Sequence, residues 1–248
     1  MSASIYFDGA GDYLTTTGQN LSADNWTIEC WVYFISFANT TPHIFNFGTN
    51  VNNRYMLFRS NVNSKFIFAT ANGGVYTDAN STTTPQIGTW YHVAVVRNSG
   101  VSTLYINGSQ EGTSNTSIDS GTNWSIGFQQ FGGATNDYVN GYISNFRVVK
   151  GTAIYTSNFS VPTQALSAIT GTSLLIANES NNVAIIDNSS NNITITPVPT
   201  TLAITSINPF SPEGSLGTGI INSEDFNYEV DYYKLSSWNN STPGFIYR

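Results

Sequence analysis

Short apolar segments alternate with turn residues along most of the chain. The longest covers residues 26–37, and in residues 90–97 apolar side chains occupy both sets of alternate positions, as in a central strand covered on both faces. Asn107-Gly108 predicts a two-residue hairpin, because both residues tolerate a positive φ. An apolar period of about 3.6 residues never persists over about ten residues. The pattern therefore predicts strands and turns about 8–12 residues apart, as in a β-sandwich or jelly roll.

Polar uncharged residues take the place of charged ones. Charged residues make up 9% of the chain, against about 25% in typical globular proteins, and the abundant Asn, Ser and Thr favour turns and strands over helices. Aromatic residues make up 14%, which supplies enough apolar area to exclude a disordered chain. The net charge of −7 and the lack of a basic run argue against binding to nucleic acid or to an anionic membrane.

The single cysteine and the N-terminus indicate where the protein is made. Cys30 has no partner for an internal disulfide, and its place in an apolar run predicts a buried, unreactive thiol. Residues 1–4 lead directly into an apolar segment without the pattern of a signal peptide, so we expect synthesis in a cytosol. No apolar stretch approaches about 18 residues, so we expect no membrane insertion.

Four segments appear in an order and spacing that resemble a known family. They are Tyr6–Leu14, Trp26–Val32, Trp90–Arg97 with Leu104–Gly108, and Asn140–Val148. Together they resemble the laminin G-like branch of the concanavalin A-like lectin/glucanase superfamily. The resemblance implies an all-β fold, a jelly-roll sandwich of two antiparallel sheets.

A narrower resemblance concerns the second half of the chain. Phe146–Phe159, Pro162, Thr172–Leu175, Asp187–Thr196 and Asn208–Pro212 resemble modules of bacteriophage structural proteins, especially those of marine phages. This resemblance implies a structural or display protein of a virion, namely a capsid decoration, a head fibre or a tail-associated module. It also implies other virion proteins as partners, a homo-oligomer, and the virion as the location.

The order of the segments predicts the domain organisation. In many relatives the strands that correspond to residues 173–176 and 187–196 precede the one at Phe7-Asp8-Gly9, whereas here they follow it. We expect residues 173–207 to fold back and complete one sandwich over residues 1–210, as in a circular permutant, because a half module would leave an apolar sheet face uncovered. The alternative is that they begin an incomplete second module. Residues 211–248 are then a linker and a C-terminal arm with an extra strand.

No arrangement of residues predicts an enzyme. Glycoside hydrolysis needs two carboxyl groups about 5–10 Å apart, whereas Glu29 is isolated in sequence and the cluster Glu224, Asp225 and Glu229 lies in the segment without resemblance. His43 and His92 fall in separate strands, where core or cross-strand roles are the simpler interpretation. We therefore predict no catalytic residues.

The resemblance also raises the question of calcium, which many laminin G-like modules bind through oxygen ligands. Asp8, Asp12, Asp137 and Asn145 are the candidate calcium ligands. Relatives often carry an acidic residue where Ser144 or Asn145 stands, which weakens the match. The alternative is that Asp8 and Asp12 only stabilise turns through side-chain-to-backbone hydrogen bonds. We predict no other cofactor.

Lectins of this superfamily stack sugars on exposed aromatic rings. Trp124, Phe131 and Tyr138 lie near predicted loops and are the candidate glycan-binding residues, with ordinary packing as the alternative. Two functions therefore remain open. The first is the virion structural or display protein, which docks onto other proteins; the second is a carbohydrate-binding module that attaches to glycans of a host surface.

Overall fold

A computed structural model describes residues 2–18, 20–21, 25–37, 41–118, 121–131, 137–179, 184–202 and 204–210. Its fifteen strands are β1 (Ser4–Asp8), β2 (Tyr13–Thr17), β3 (Trp26–Phe34), β4 (His43–Asn50), β5 (Asn53–Arg59), β6 (Phe66–Asn72), β7 (Val75–Asn80), β8 (Trp90–Asn98), β9 (Val101–Ile106), β10 (Ser109–Ser114), β11 (Asn123–Ile126), β12 (Asn140–Lys150), β13 (Thr172–Ile176), β14 (Thr196–Val198) and β15 (Ile204–Thr205). None of the described residues is helical, and within these ranges no helix could cross a membrane. The predicted arm, residues 211–248, lies outside the described residues.

The strands form two antiparallel sheets. Sheet A has the order β10-β9-β8-β3-β12-β1-β15, with β13 also paired to β12. Sheet B has the order β14-β2-β11-β4-β5-β6-β7. This arrangement confirms the predicted all-β sandwich of two antiparallel sheets. The predicted hairpin is also confirmed, because Asn107 and Gly108 join β9 to β10 with φ values of 48° and 79°.

The core lies between the two sheets and is rich in aromatic side chains. Alternate residues of β3, such as Ile28, Cys30 and Val32, belong to it, since successive side chains of a strand point to opposite faces. The buried position of Cys30 confirms the prediction of an inaccessible thiol, and this burial raises its pKa. On the side of sheet B, Trp124 of β11 packs 4.3 Å from Phe47 between ring centroids.

β12 is the strand on which sheet A is organised. It pairs with β3 along one edge, and along the other edge with β1 in its first half and β13 in its second half. A β-bulge interrupts the pairing with β3 between Ser144 and Arg147. Asn145, inside this bulge, has a φ of 54°, a conformation that Asn tolerates better than most residues.

Strands after residue 170 pair with both sheets of the sandwich. β13 pairs with β12 and β15 with β1 in sheet A, while β14 pairs with β2 in sheet B. The buried carboxylate of Asp187 fastens the connection between β13 and β14, because it accepts hydrogen bonds from the backbone N–H groups of Leu175, Ser189 and Ile193 and from the Ser189 hydroxyl. These pairings support the proposal that residues 173–207 complete the sandwich.

The outer face of sheet A is partly covered by residues 151–170, the covering segment. Tyr155 and Phe159 of this segment pack with Ala94, Val96 and Tyr105 in a second apolar cluster. The Phe159 N–H donates to the carbonyl of Gly108, 2.9 Å away, and so fixes the segment to the β9–β10 hairpin.

We predict that Asp187→Ala lowers the free energy of unfolding by about 3 kcal/mol or more, because it leaves several buried N–H groups without an acceptor. Denaturation in guanidinium chloride, followed by tryptophan fluorescence, measures the change. Asp187→Asn is the matched control: it keeps one acceptor oxygen and should lose less. Equal stability of Asp187→Ala and the unmutated chain would contradict the structural role of the late strands.

Candidate functional site

Four aromatic side chains form a line across the outer face of sheet A. Tyr6 of β1 lies opposite Tyr142 of β12, Tyr142 opposite Tyr33 of β3, and Tyr33 opposite Trp90 of β8. Residues that are directly opposite on antiparallel strands share a face and lie close together. The successive ring centroids are accordingly 5.3, 5.9 and 5.4 Å apart. We call Tyr6, Tyr142, Tyr33 and Trp90 the aromatic row.

The two ends of the aromatic row are its accessible parts. Tyr6 is 39% exposed, and Trp90 is half-buried. Tyr33 and Tyr142 keep little exposed surface, as expected for rings with an aromatic neighbour on either side. The row therefore offers apolar ring surface on the outside of the sandwich, where it adds nothing to the core between the sheets.

Two hydrogen-bond acceptors lie along one side of the aromatic row. Asp8 and Asn140 lie opposite each other on β1 and β12, each two positions from a tyrosine of the row and hence on the same face. Asp8 is exposed, and one of its carboxylate oxygens accepts a hydrogen bond from the Ala10 N–H. The Oδ1 atom of Asn140 is buried and has no hydrogen-bond partner. Asn140 as a whole is only half-buried, so this unpaired oxygen lies close to the surface of the sheet.

The electrostatic environment at the Tyr6 end of the row is negative. Burial raises the pKa of Tyr6, and the charges of Asp8 and Asp12 raise it further. Burial also raises the pKa values of Tyr33 and Tyr142. All three hydroxyl groups are therefore protonated at neutral pH, and each can donate as well as accept a hydrogen bond.

Asp8 and Asp12, the candidate calcium ligands near the first turn, accept hydrogen bonds from backbone N–H groups of that turn. Asp12 accepts a hydrogen bond from the Asp8 N–H at 2.9 Å, and Asp8 accepts one from the Ala10 N–H at 2.6 Å. These are the turn-stabilising bonds of the alternative interpretation. Asp137 is buried, lies 4.0 Å from His43, and has its pKa raised by burial.

Asn145 does not fit a calcium site with the other three. Its Oδ1 accepts the Leu166 N–H at 2.7 Å, and its Nδ2 donates to the hydroxyls of Ser2 and Ser144. Among the described residues, no group of three or more Asp, Glu, His or Cys side chains could hold a metal ion. We therefore derive no chemistry from a metal at these residues.

The candidate glycan-binding residues lie away from the aromatic row. Trp124 is 2% exposed and packs between Phe47 and Phe146, so the prediction that it stacks on sugar is wrong: its strand points it into the core. Tyr138 is half-buried and stacks on Phe128 with ring centroids 4.2 Å apart.

Phe131, the third candidate, is half-buried beside sheet B, where its carbonyl accepts a hydrogen bond from Arg54 of β5.

The aromatic row itself was not predicted from the sequence. Its signal is present in the alternation, because Tyr6 lies between the core residues Ile5 and Phe7 and must face outward. What the alternation does not show is which strands are neighbours.

A buried ion pair lies under the covering segment. The Glu29 carboxylate accepts hydrogen bonds from Nε and Nη2 of Arg147 at 3.0 and 2.5 Å, from Nε2 of His92 at 3.0 Å, and from the Tyr155 hydroxyl at 2.9 Å. Burial alone would raise the pKa of Glu29, but its hydrogen bonds and charge interactions with His92 and Arg147 outweigh burial and lower it. The Glu29 side chain has no solvent exposure, and its hydrogen bond with Tyr155 anchors the covering segment.

The chain belongs to the concanavalin A-like lectin/glucanases superfamily. A laminin G family model with that description matches residues 8–154, which is more than half of the 248 residues. The match includes β2 to β12 and the flanking acceptors Asp8 and Asn140. No curated protein has significant sequence similarity to the chain.

Several solved structures have a similar fold. The native heptameric SAP-like pentraxin from Limulus polyphemus shares 18% identity at a TM-score of 0.55, over 79% of this chain and 94% of its own. A candidate carbohydrate-binding protein from Bacteroides ovatus shares 18% identity at a TM-score of 0.59, over 83% of this chain and 60% of its own. Domains LG4-5 of the mouse laminin α1 chain share 14% identity at a TM-score of 0.47, over 65% and 47%. At these identities, the likeness to the first two structures establishes the fold alone.

We predict that Glu29→Gln lowers the free energy of unfolding by about 3 kcal/mol, because it leaves the buried Arg147 cation without a counter-charge. Urea denaturation measures the loss. Since the pKa of Glu29 is depressed in the folded state, the stabilisation is present above its ordinary value of 4.5 and is lost as the pH falls through the folded value. As the pH is lowered, the free energy of unfolding of the variant should therefore fall less than that of the unmutated chain.

Glu111→Gln is the control for this variant. Glu111 also accepts several hydrogen bonds, from the N–H groups of Thr82 and Thr83 and from the Thr83 hydroxyl, but no arginine depends on it. A loss for Glu111→Gln as large as that for Glu29→Gln would show that the charge of Glu29 is unimportant.

Proposed function

We propose that the chain is a non-catalytic, lectin-like module that binds carbohydrate on the aromatic row. The observation that carries the proposal is the row itself, four rings in register on four adjacent strands beside two acceptors. A pyranose ring has an apolar face of C–H groups and a rim of hydroxyls. Aromatic faces attract the partly positive C–H groups, and nearby polar groups bind the hydroxyls.

Two further findings support this proposal. Lectins are members of the superfamily to which the chain belongs, and a candidate carbohydrate-binding protein shares its fold. A non-enzymatic role is supported by Glu29, whose carboxylate is bonded to Arg147, His92 and Tyr155 and closed to solvent.

We predict that Tyr6→Ala and Trp90→Ala each weaken glycan binding at least about tenfold, which corresponds to about 1.4 kcal/mol. Both substitutions remove accessible ring surface from an end of the row. A glycan array identifies the ligand, and isothermal titration calorimetry measures its affinity for each variant. Thermal unfolding of each variant checks that the fold is retained.

Tyr76→Ala is the matched control, because Tyr76 is an exposed tyrosine on β7 of sheet B, 49% accessible. It should leave glycan affinity unchanged within about twofold. Equal binding by all three variants would place the sugar elsewhere. If the unmutated chain binds none of the glycans on the array, the lectin-like function is refuted.

We further propose that the module is displayed on a virus particle, where it docks onto other virion proteins. The sequence resemblance of residues 146–159, 172–175 and 187–196 to phage structural proteins supports this. So does an exposed apolar patch formed by Val51, Val75 and Tyr76, which are 39%, 65% and 49% accessible. The Tyr76 hydroxyl donates to the Val51 carbonyl at 3.1 Å, which brings the β4–β5 and β6–β7 turns together. Exposed apolar patches of this kind are typical of protein contacts.

We predict that Val75→Asp reduces incorporation of the chain into particles several-fold, because a charge on the patch must be desolvated on docking. Quantitative mass spectrometry of purified particles measures the incorporation, and size-exclusion mass shows whether the free chain oligomerises through the same patch. Val62→Asp, at an exposed residue of the β5–β6 turn, is the control. Absence of the unmutated chain from particles would refute the virion role.

A further inference from the structure

We infer that the aromatic row is selective for uncharged, hydroxyl-rich sugar chains and discriminates against sialylated, sulfated and uronic glycans. This inference rests on the proposed carbohydrate-binding function and names the class of ligand. Its basis is the combination of two acceptor groups beside the row with the absence, among the described residues, of a cation that contacts it.

The groups beside the row require a ligand that donates hydrogen bonds. Asp8 presents a carboxylate, which accepts only, and the buried Oδ1 of Asn140 lacks a donor. A sugar hydroxyl can donate to the exposed Asp8 carboxylate, and to Asn140 where its half-buried side chain turns the unpaired oxygen toward the ligand. A sulfate or a carboxylate on the sugar cannot donate. It would set its charge against the Asp8 carboxylate and leave the Asn140 oxygen unpaired, at a cost in affinity.

The cations of sheet A are bound elsewhere or lie far from the row. Arg147 is bonded to Glu29, and Arg97 to Ser102 and the Thr116 carbonyl. Lys150 lies eight residues along β12 from Tyr142, which is about 27 Å at about 3.4 Å per residue. Among the described residues, the remaining cations are Arg54, Arg59 and Lys65, which lie on β5 or directly before β6 in sheet B.

The direction of the row also points to a chain of sugars. Its four rings lie on strands that are about 4.8 Å apart, so the row runs across the strands for roughly 14 Å. The line from Asp8 to Asn140 is parallel to the row and lies two residues away from it along β1 and β12. An extended oligosaccharide that follows the row would place its ring faces on the accessible ends, Tyr6 and Trp90, and present the hydroxyls of one edge to these acceptors.

The test is a glycan array that carries neutral oligosaccharides beside sialylated and sulfated derivatives of the same chains. The strongest matched pair is then titrated by calorimetry at low and high salt. The neutral member should bind at least about fivefold more tightly, and the preference should shrink at high salt, because the repulsion by Asp8 is screened.

Two variants change the charge beside the row in opposite directions. Asp8→Asn keeps an acceptor oxygen for the turn and should narrow the ratio of neutral to acidic affinity, whereas Asn140→Asp should widen it. Thermal unfolding confirms that both fold. An acidic derivative that binds as well as or better than its neutral parent would overturn the selectivity while the lectin-like function stands. Failure of every glycan to bind would remove the proposed function and the selectivity together.

Discussion

The antiparallel register of β12 with its neighbours is the constraint on which the rest of sheet A depends. Backbone hydrogen bonds to β1, β3 and β13 determine which side chains stand opposite one another and which face each one occupies. Because the period of a strand is two residues, a slip of one position would exchange its core residues with its outer ones. The aromatic row and the Glu29 ion pair both result from this single register.

The outer face of sheet A is divided into two parts with different roles. Toward one end, the covering segment encloses Glu29, Arg147 and His92, where opposite charges are paired away from water. Toward the other end, Tyr6 and Trp90 leave ring surface accessible. The buried ion pair and the accessible rings therefore lie at separate places on one sheet, and the proposed binding surface does not include the ion pair.

Much of the fold could be predicted from the sequence. The apolar run at residues 26–37 predicted a strand, the alternation in residues 90–97 a central strand, and Asn107-Gly108 a hairpin, since these signals are local. The candidate site could not be predicted, because strand order is not a local property. Trp124 was wrongly expected near a surface, since a tryptophan close to turn residues looks the same from sequence whether its strand faces the core or solvent.

The bulge at Asn145 shows how one strand can serve two environments. From Ser144 to Arg147 the chain advances three residues while β3 advances two, from Trp31 to Glu29. Even-numbered side chains point outward before the bulge, as Tyr142 does, and odd-numbered ones after it, as Arg147 does. A strand without the additional residue would direct the arginine into the apolar interior and Phe146 toward the carboxylate. One inserted amino acid thus allows a continuous strand to place Tyr142 in the aromatic row and, five residues later, to direct Arg147 to the buried Glu29 carboxylate.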